Sequence, residues 1–400
     1  MKFVNILLTN KGAILALYIA FALAASIQSY LLTPESMRNG KEEYSFTFYN
    51  NYLTFKNSFK HLIENKDLYI RYPKEHDDLY KYSPTCAVFF GIFYALPDTV
   101  GLLLWNVLNA IVLLISVYYL PHLPIKTKGL ILISILIELM TCMQNEQSNG
   151  LICGLIILAF GLLERGNYFA AVFCIVFATY MKLFGIVALS LFIFYPGKWK
   201  LAFYTLFWSS LLFIVPLTVV SFPQLEFLYS SWGRLLSTDH SASVGFSVAA
   251  WLKSWFSIDI NKTLITLAGA ALFCLPLLRL KEYTNYWFRL LMLCSVLIWV
   301  VIFNHKAESP TFIIAMTGAA IWFFSRPLTP VNLILFLLAF VFTSLSPTDI
   351  FPRELKAGFF FTYAIKAVPC IFIWFRILYE QLFMKDIQLQ PGAQRFGLTI

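Results

Sequence analysis

Charge is what this sequence has little of. Asp, Glu, Lys and Arg make up 13% of its 400 residues, about half the share of a soluble domain. Hydrophobic residues make up 59%, and the mean hydropathy is +0.72. That much apolar side chain cannot be hidden inside one soluble core, because a surface must still face water. There is no CxxC and no Cys/His cluster with metal-ligand spacing, which excludes a zinc module and a disulfide scaffold. The seven cysteines lie in or beside apolar runs and read as small packing residues. Internal repeats and low-complexity tracts are also missing. The net charge of +9 is thinly spread between apolar runs rather than gathered in a patch, so nucleic acid is not the expected partner. A polytopic membrane protein is the class that remains.

A helix needs about 20 residues to cross the hydrocarbon. Apolar runs at 13–31, 99–120, 129–143, 150–164, 167–181, 183–196, 201–220, 263–280, 286–303, 310–325, 330–345 and 358–379 predict an all-α fold of about twelve transmembrane helices. One integral membrane domain is expected over 1–400. Lys and Arg set its orientation. Lys2 and Lys11 flank the first run, and every even-numbered crossing ends on a basic turn: Lys126 and Lys128, Arg165, Lys198 and Lys200, Arg279 and Lys281, Arg326, then Lys385 and Arg395. Both termini are therefore expected in the cytoplasm. Residues 84–96 are apolar but too short to span with ease, and 243–257 suit an interfacial helix.

This arrangement sorts the polar residues to the outer side. A long first outer loop, 32–83, carries eight acidic and eight basic residues. A second outer loop covers 221–262. Apolar residues at 52, 55, 59, 62 and 63 have helical spacing, so an amphipathic helix is expected on the membrane surface there. Asp77 and Asp78 stand beside His76 and close to Tyr80 and Tyr82. They could serve as a general base, a sugar-binding rim or a weak site for a divalent cation, or simply form a solvated acidic turn. Glu138 falls inside a span, with Glu146, Gln147 and Asn149 just past its outer end. These could line a cavity and bind hydroxyls, or cap the turn. Lys182 is an outer lysine that suits a phosphate, the alternative being snorkelling to headgroups. His305 and Lys306, with Arg234 and His240, are further phosphate or sugar contacts. His305 and Glu308 form a lone HxxE with no further metal ligands beside it, so no metal site is assigned.

Taken in order, these elements resemble the bacterial membrane glycosyltransferases of family 87, in the C-type superfamily. The resemblance runs through Asn51-Tyr52 and Phe55, Asp67-Leu68-Tyr69, Tyr80-Lys81-Tyr82-Ser83-Pro84, Ala95-Leu96-Pro97, Trp105-Asn106, Gln147-Ser148-Asn149-Gly150 and Met181-Lys182. No one of these motifs is specific alone; their order on one side of the membrane carries the likeness. It implies a GT-C-like fold in a bacterial inner membrane. It also implies transfer of a hexose, with mannose a candidate, from a polyprenyl-phosphate sugar to a glycan or glycolipid acceptor, with inversion. Membrane lipids would surround the protein. Lys182, with His305 or Lys306, would meet the donor phosphate, while Asn51, Tyr82, Glu146, Gln147 and Asn149 would line the substrate cavity.

One departure bears on catalysis. Where such enzymes carry an Asp in the first outer loop as base, this sequence has Asn51, and an amide cannot take the proton. The substitutes are Glu42, Glu43, Asp77 and Asp78. Asp78 is preferred because it leads into the Tyr80–Pro84 element, with Glu43 next and Asp77 beside it. The alternatives from other classes are a transporter or flippase of a lipid-linked substrate, which should show related halves, and a non-catalytic assembly subunit, which Asn51 keeps open.

Overall fold

The computed structural model describes residues 8–32, 35–39, 42–76, 78–239 and 245–384, with the backbone alone at 35–39, 42–45 and 239. Lys2, Asp77, His240, Lys385 and Arg395, and the side chains of Glu42 and Glu43, lie outside that description. Capping side chains and prolines start many of the helices. Asn10 accepts from the amide of Ala13 to begin α1 (Lys11–Leu31). A short antiparallel hairpin, β1 (Glu35–Asn39) and β2 (Glu42–Phe46), follows in register Glu35↔Phe46. It departs from the all-α expectation. The expected amphipathic helix is α2 (Asn50–Ile63), which buries Tyr52, Phe55 and Leu62. Residues 84–96 form a broken pair, α3 (Pro84–Phe89) and α4 (Gly91–Tyr94), opened by the Ser83 cap and Pro84.

The apolar body begins with α5 (Asp98–Tyr119), α6 (Ile125–Ser134), α7 (Leu136–Gln144), α8 (Asn149–Leu163) and α9 (Tyr168–Met181). A 3-10 helix over Leu183–Phe194 leads into α10 (Lys198–Ile214), α11 (Phe222–Asp239), α12 (Val248–Phe256) and α13 (Lys262–Cys274). The chain closes with α14 (Tyr286–Ile302), α15 (Phe312–Ser325), α16 (Pro330–Ala339) and α17 (Val368–Phe383). Helices α5 and α8 approach closely because Gly154 lacks a side chain: a Cβ there would lie 2.8 Å from the amide nitrogen of Leu113. Six cysteines are buried and Cys274 is exposed, all as free thiols. Among the described residues, Lys11–Leu31, Asp98–Tyr119 and Lys198–Thr218 are long and apolar enough to cross a membrane, and the other apolar helices are shorter.

The run expected as one helix over 358–379 is interrupted. A π-helical turn at Leu355–Phe360 gives way to turns before α17, and Ala364 takes a left-handed φ of 49°. Pro369 at the start of α17 cannot continue a helix from before it. The break is supported from inside the body. Thr343 donates to the carbonyl of Lys366, and the Lys366 ammonium lies 2.7 Å from Glu138 Oε1. Glu138 thus pairs with a lysine instead of facing a cavity. A second buried pair, Arg326 with Glu380 at 2.7 Å, sits near the end of α17. Charges in an apolar body persist when paired this way.

The two ends of the body differ in chemistry. At one end Lys128 donates to the carbonyl of Tyr118, Lys11 sits 5.5 Å from the Tyr118 ring centroid, and Arg165 lies 3.8 Å from that of Tyr119. Nearby, Arg289 grips Glu164 through two hydrogen bonds of 2.7 Å. Helix α5 has 22 residues and so runs roughly 33 Å from this basic end, past Trp105, to Asp98, toward the loops of the next subsection.

Candidate active site

A cavity of about 440 Å³ opens where five separated segments converge: α2 with the loop that follows it, the α7–α8 turn, the end of α9, α11, and the α14–α15 connection. Helix α2 is seated by Phe55, whose ring stacks on Phe90 at 4.7 Å and meets Tyr82 at 4.7 Å and Trp105 at 5.7 Å. One turn earlier, Asn51 faces the cavity and donates to the carbonyl of Asn145, 3.0 Å away. The α7–α8 turn is fixed from behind, where Trp105 donates to the Glu146 carbonyl at 2.7 Å.

Lys182 ends α9 and points at two neutral acceptors, Gln147 Oε1 at 3.1 Å and Asn149 Oδ1 at 2.9 Å. Its ammonium also lies 5.7 Å from the Tyr82 ring centroid. No carboxylate among the described residues reaches it at ion-pair distance. Burial lowers its pKa, opposed first by the charge of Glu308. A cation held by amide oxygens, with positive charge to spare at a cavity wall, is suited to an anion. Tyr82 donates to Gln147 Oε1 across 3.4 Å, and burial foremost holds its phenol well above the ordinary range.

The other walls bring Asp78, Lys81, His305, Lys306 and Glu308 to the same space. Asp78 is exposed, and its backbone carbonyl lies 2.8 Å from Nδ1 of the buried His76. The loop behind it is knotted. Glu75 takes Lys60 at 3.1 Å and His61 at 3.0 Å, with Tyr72 stacked on His61 at 3.8 Å. Burial lowers the His61 pKa, partly offset by Glu75. Asp67 is a tie as well: Ser231 of α11 donates to both of its oxygens, and the amide of Tyr69 to one. Trp232 adds a bond to the carbonyl of Lys81. These contacts hold the loop after α2 against α11 and so carry Asp78 to the cavity.

Of the residues expected at a site, Asp78, Lys182, His305, Lys306, Asn51, Tyr82 and Gln147 line this one cavity. Asn149 stands behind the wall as a support of Lys182. Glu146 is turned away. Its backbone has φ of +48°, and its carboxylate accepts from Ser29 of α1 at 2.9 Å inside the body. It serves the turn and not the cavity lining. The cavity also recruits Glu308, Phe184 and Trp232, for which the sequence offered little. Glu308 was visible only as half of an isolated HxxE, and the two aromatics were lost among many. Among the described residues no group of three or more His, Cys, Asp or Glu converges as a metal site.

The model of glycosyltransferase family 87 matches residues 80–347, more than half of the chain. No protein with a curated description matches it.

Proposed function

The chain belongs to glycosyltransferase family 87 and is a membrane glycosyltransferase, and from that premise we propose how it works. The donor is a polyprenyl-phosphate hexose, and the acceptor a glycan or glycolipid of the cell envelope. The observation that carries this reading is the convergence of Lys182 on its amide cradle and the carboxylate of Asp78 in one cavity.

Lys182 holds the donor phosphate, with His305 and Lys306 on the facing wall. The acceptor hydroxyl oxygen attacks the anomeric carbon from the side opposite the phosphate. The carbon–oxygen bond to the phosphate breaks, and its electron pair leaves with the lipid phosphate. The hydroxyl proton passes to Asp78, in place of the carboxylate that Asn51 lacks. The leaving phosphate gains a negative charge as it departs, so a preorganised cation stabilises it more in the transition state than in the ground state. Attack from the opposite face inverts the anomeric centre.

The whole chain acts as one unit of about twelve crossings in a bacterial inner membrane, some made by short or broken helices, with both termini cytoplasmic and the cavity facing out. Two observations support this. The cavity-lining segments are those that the basic-turn pattern assigns to the outer side. Lys11, Lys128 and Arg165 gather at the far end of α5. Impermeant maleimide on intact cells tests it in a Cys274→Ser background: Lys81→Cys should label and Trp199→Cys should not. The reverse pattern refutes the orientation.

For the chemistry, purified protein in nanodiscs is given radiolabelled polyprenyl-phosphate hexoses and membrane glycolipids. Asp78→Asn should lose transfer and keep donor binding. Transfer at the wild-type rate by that variant would remove Asp78 from the mechanism and return Glu43 and Asp77 to contention.

A further inference from the structure

Among the described residues two carboxylates line the cavity, and the reaction needs only one as base. Glu308 is the second. It is exposed to the cavity, and its carboxylate makes no hydrogen bond or ion pair among the described residues. The connection that carries it is nevertheless fixed. Ala307 is buried and its carbonyl accepts from the amide of Phe246 at 2.8 Å. Asn304 Oδ1 accepts from the amide of Lys306 at 2.9 Å, and the carbonyl of Glu308 accepts from Thr311 at 3.0 Å. Gly245 sits against this segment at φ +48°, where a Cβ would come within 2.7 Å of the Ala307 carbonyl oxygen. A carboxylate displayed without a partner from a clamped connection is preorganised for a ligand.

Its place in the cavity says which part of the ligand. Glu308 stands on the same clamped connection as His305 and Lys306, the proposed phosphate contacts, whereas Asp78 comes from the separate loop before α3. That placement puts Glu308 at the phosphate pole. Inverting attack puts the proton acceptor on the face away from the phosphate, which suits Asp78. A carboxylate beside the phosphate would repel it unless hydroxyl donors intervene. The hydroxyls nearest that pole are those of the sugar joined to the phosphate, and a carboxylate accepts from hydroxyl groups in short, charge-assisted hydrogen bonds.

We infer that Glu308 binds the hydroxyl groups of the transferred sugar and so selects which sugar passes. This rests on the transfer reading above. The test measures binding of two probes to nanodisc protein: polyprenyl phosphate without sugar, and the same lipid phosphate carrying a hexose. Glu308→Gln should weaken the hexose-bearing lipid at least tenfold and leave the sugar-free lipid unchanged or tighter. Across a panel of hexose epimers and deoxyhexoses, its KM values should converge, while wild type discriminates. Lys182→Met should weaken both lipids. Three results overturn the inference. If Glu308→Gln binds both probes normally and loses only turnover, Glu308 is the proton acceptor. If it weakens both probes equally, it merely shapes the pocket. If it behaves as wild type throughout, it has no part in recognition. Wild-type protein that binds neither probe refutes the transfer reading itself.

Discussion

Removing the Lys182 cation is the sharpest perturbation of this site. In Lys182→Met the side chain keeps comparable bulk, and Gln147 Oε1 and Asn149 Oδ1 lose a donor held at 3.1 and 2.9 Å. A hydrogen bond to a charged group contributes about 1.5–3 kcal/mol, so donor affinity should fall roughly 10- to 150-fold. Turnover should fall further, by about 10²–10³, because the departing phosphate gains charge in the transition state. Equilibrium binding and single-turnover transfer in nanodiscs separate the two effects. The pH dependence gives an independent check. Burial lowers the Lys182 pKa below its usual 10.5, so the ammonium is lost earlier than in a free lysine. Donor affinity should therefore drop as pH rises through that lowered value, and Lys182→Met should abolish the drop. A Met variant that binds and transfers within threefold of wild type would refute the phosphate role.

The other predictions concern the framework. Gly101→Ala would put a Cβ 1.9 Å from the phenol oxygen of the buried Tyr52; it should cost about 1–3 kcal/mol by overpacking, read as a lowered Tm. Adding Tyr52→Phe should restore only part of that, because the ring carbon would still lie 2.9 Å away. Arg289→Met strips the half-buried Glu164 of its two-bond partner and leaves it, among the described residues, only the Tyr195 hydroxyl; it should destabilise by about 1–3 kcal/mol, measurable by thermal unfolding in detergent. Burial holds the Glu146 carboxyl well above its ordinary 4.5, so the folded chain keeps that proton where the unfolded chain has released it. The stability this contributes is full below pH 4.5 and lost as pH rises through the folded value. Glu146→Gln should thus raise Tm at pH 8 and make no such gain at pH 4.5; equal Tm shifts at both would contradict it.

Composition and periodicity determined the helical, lipid-facing character of this chain, because apolar runs at this density have no other solvent. The same reasoning placed α2 over 50–63, since amphipathic spacing is a local property of the chain. It also singled out Lys182, a lysine that the basic-turn pattern assigns to the side opposite the other basic turns. Whether the short helices each cross was not legible, because helix length against bilayer thickness depends on tilt and on neighbours. The interruption before α17 was hidden too: hydropathy does not register the left-handed Ala364 or the Thr343 and Glu138 contacts that support it. What only the tertiary structure decided is the membership of the site. Glu146 and Gln147 are adjacent in sequence, yet the positive φ of Glu146 accompanies a carboxylate directed at Ser29 while Gln147 faces the cavity. Asp78 and Glu308 stand far apart in the chain and share one cavity because the Asp67–Ser231 tie and the clamp on Ala307 bring their segments together. Local sequence decides which polar groups stand at the ends of the apolar runs; long-range hydrogen bonds and ring packing, which have no local signature, choose which of them meet.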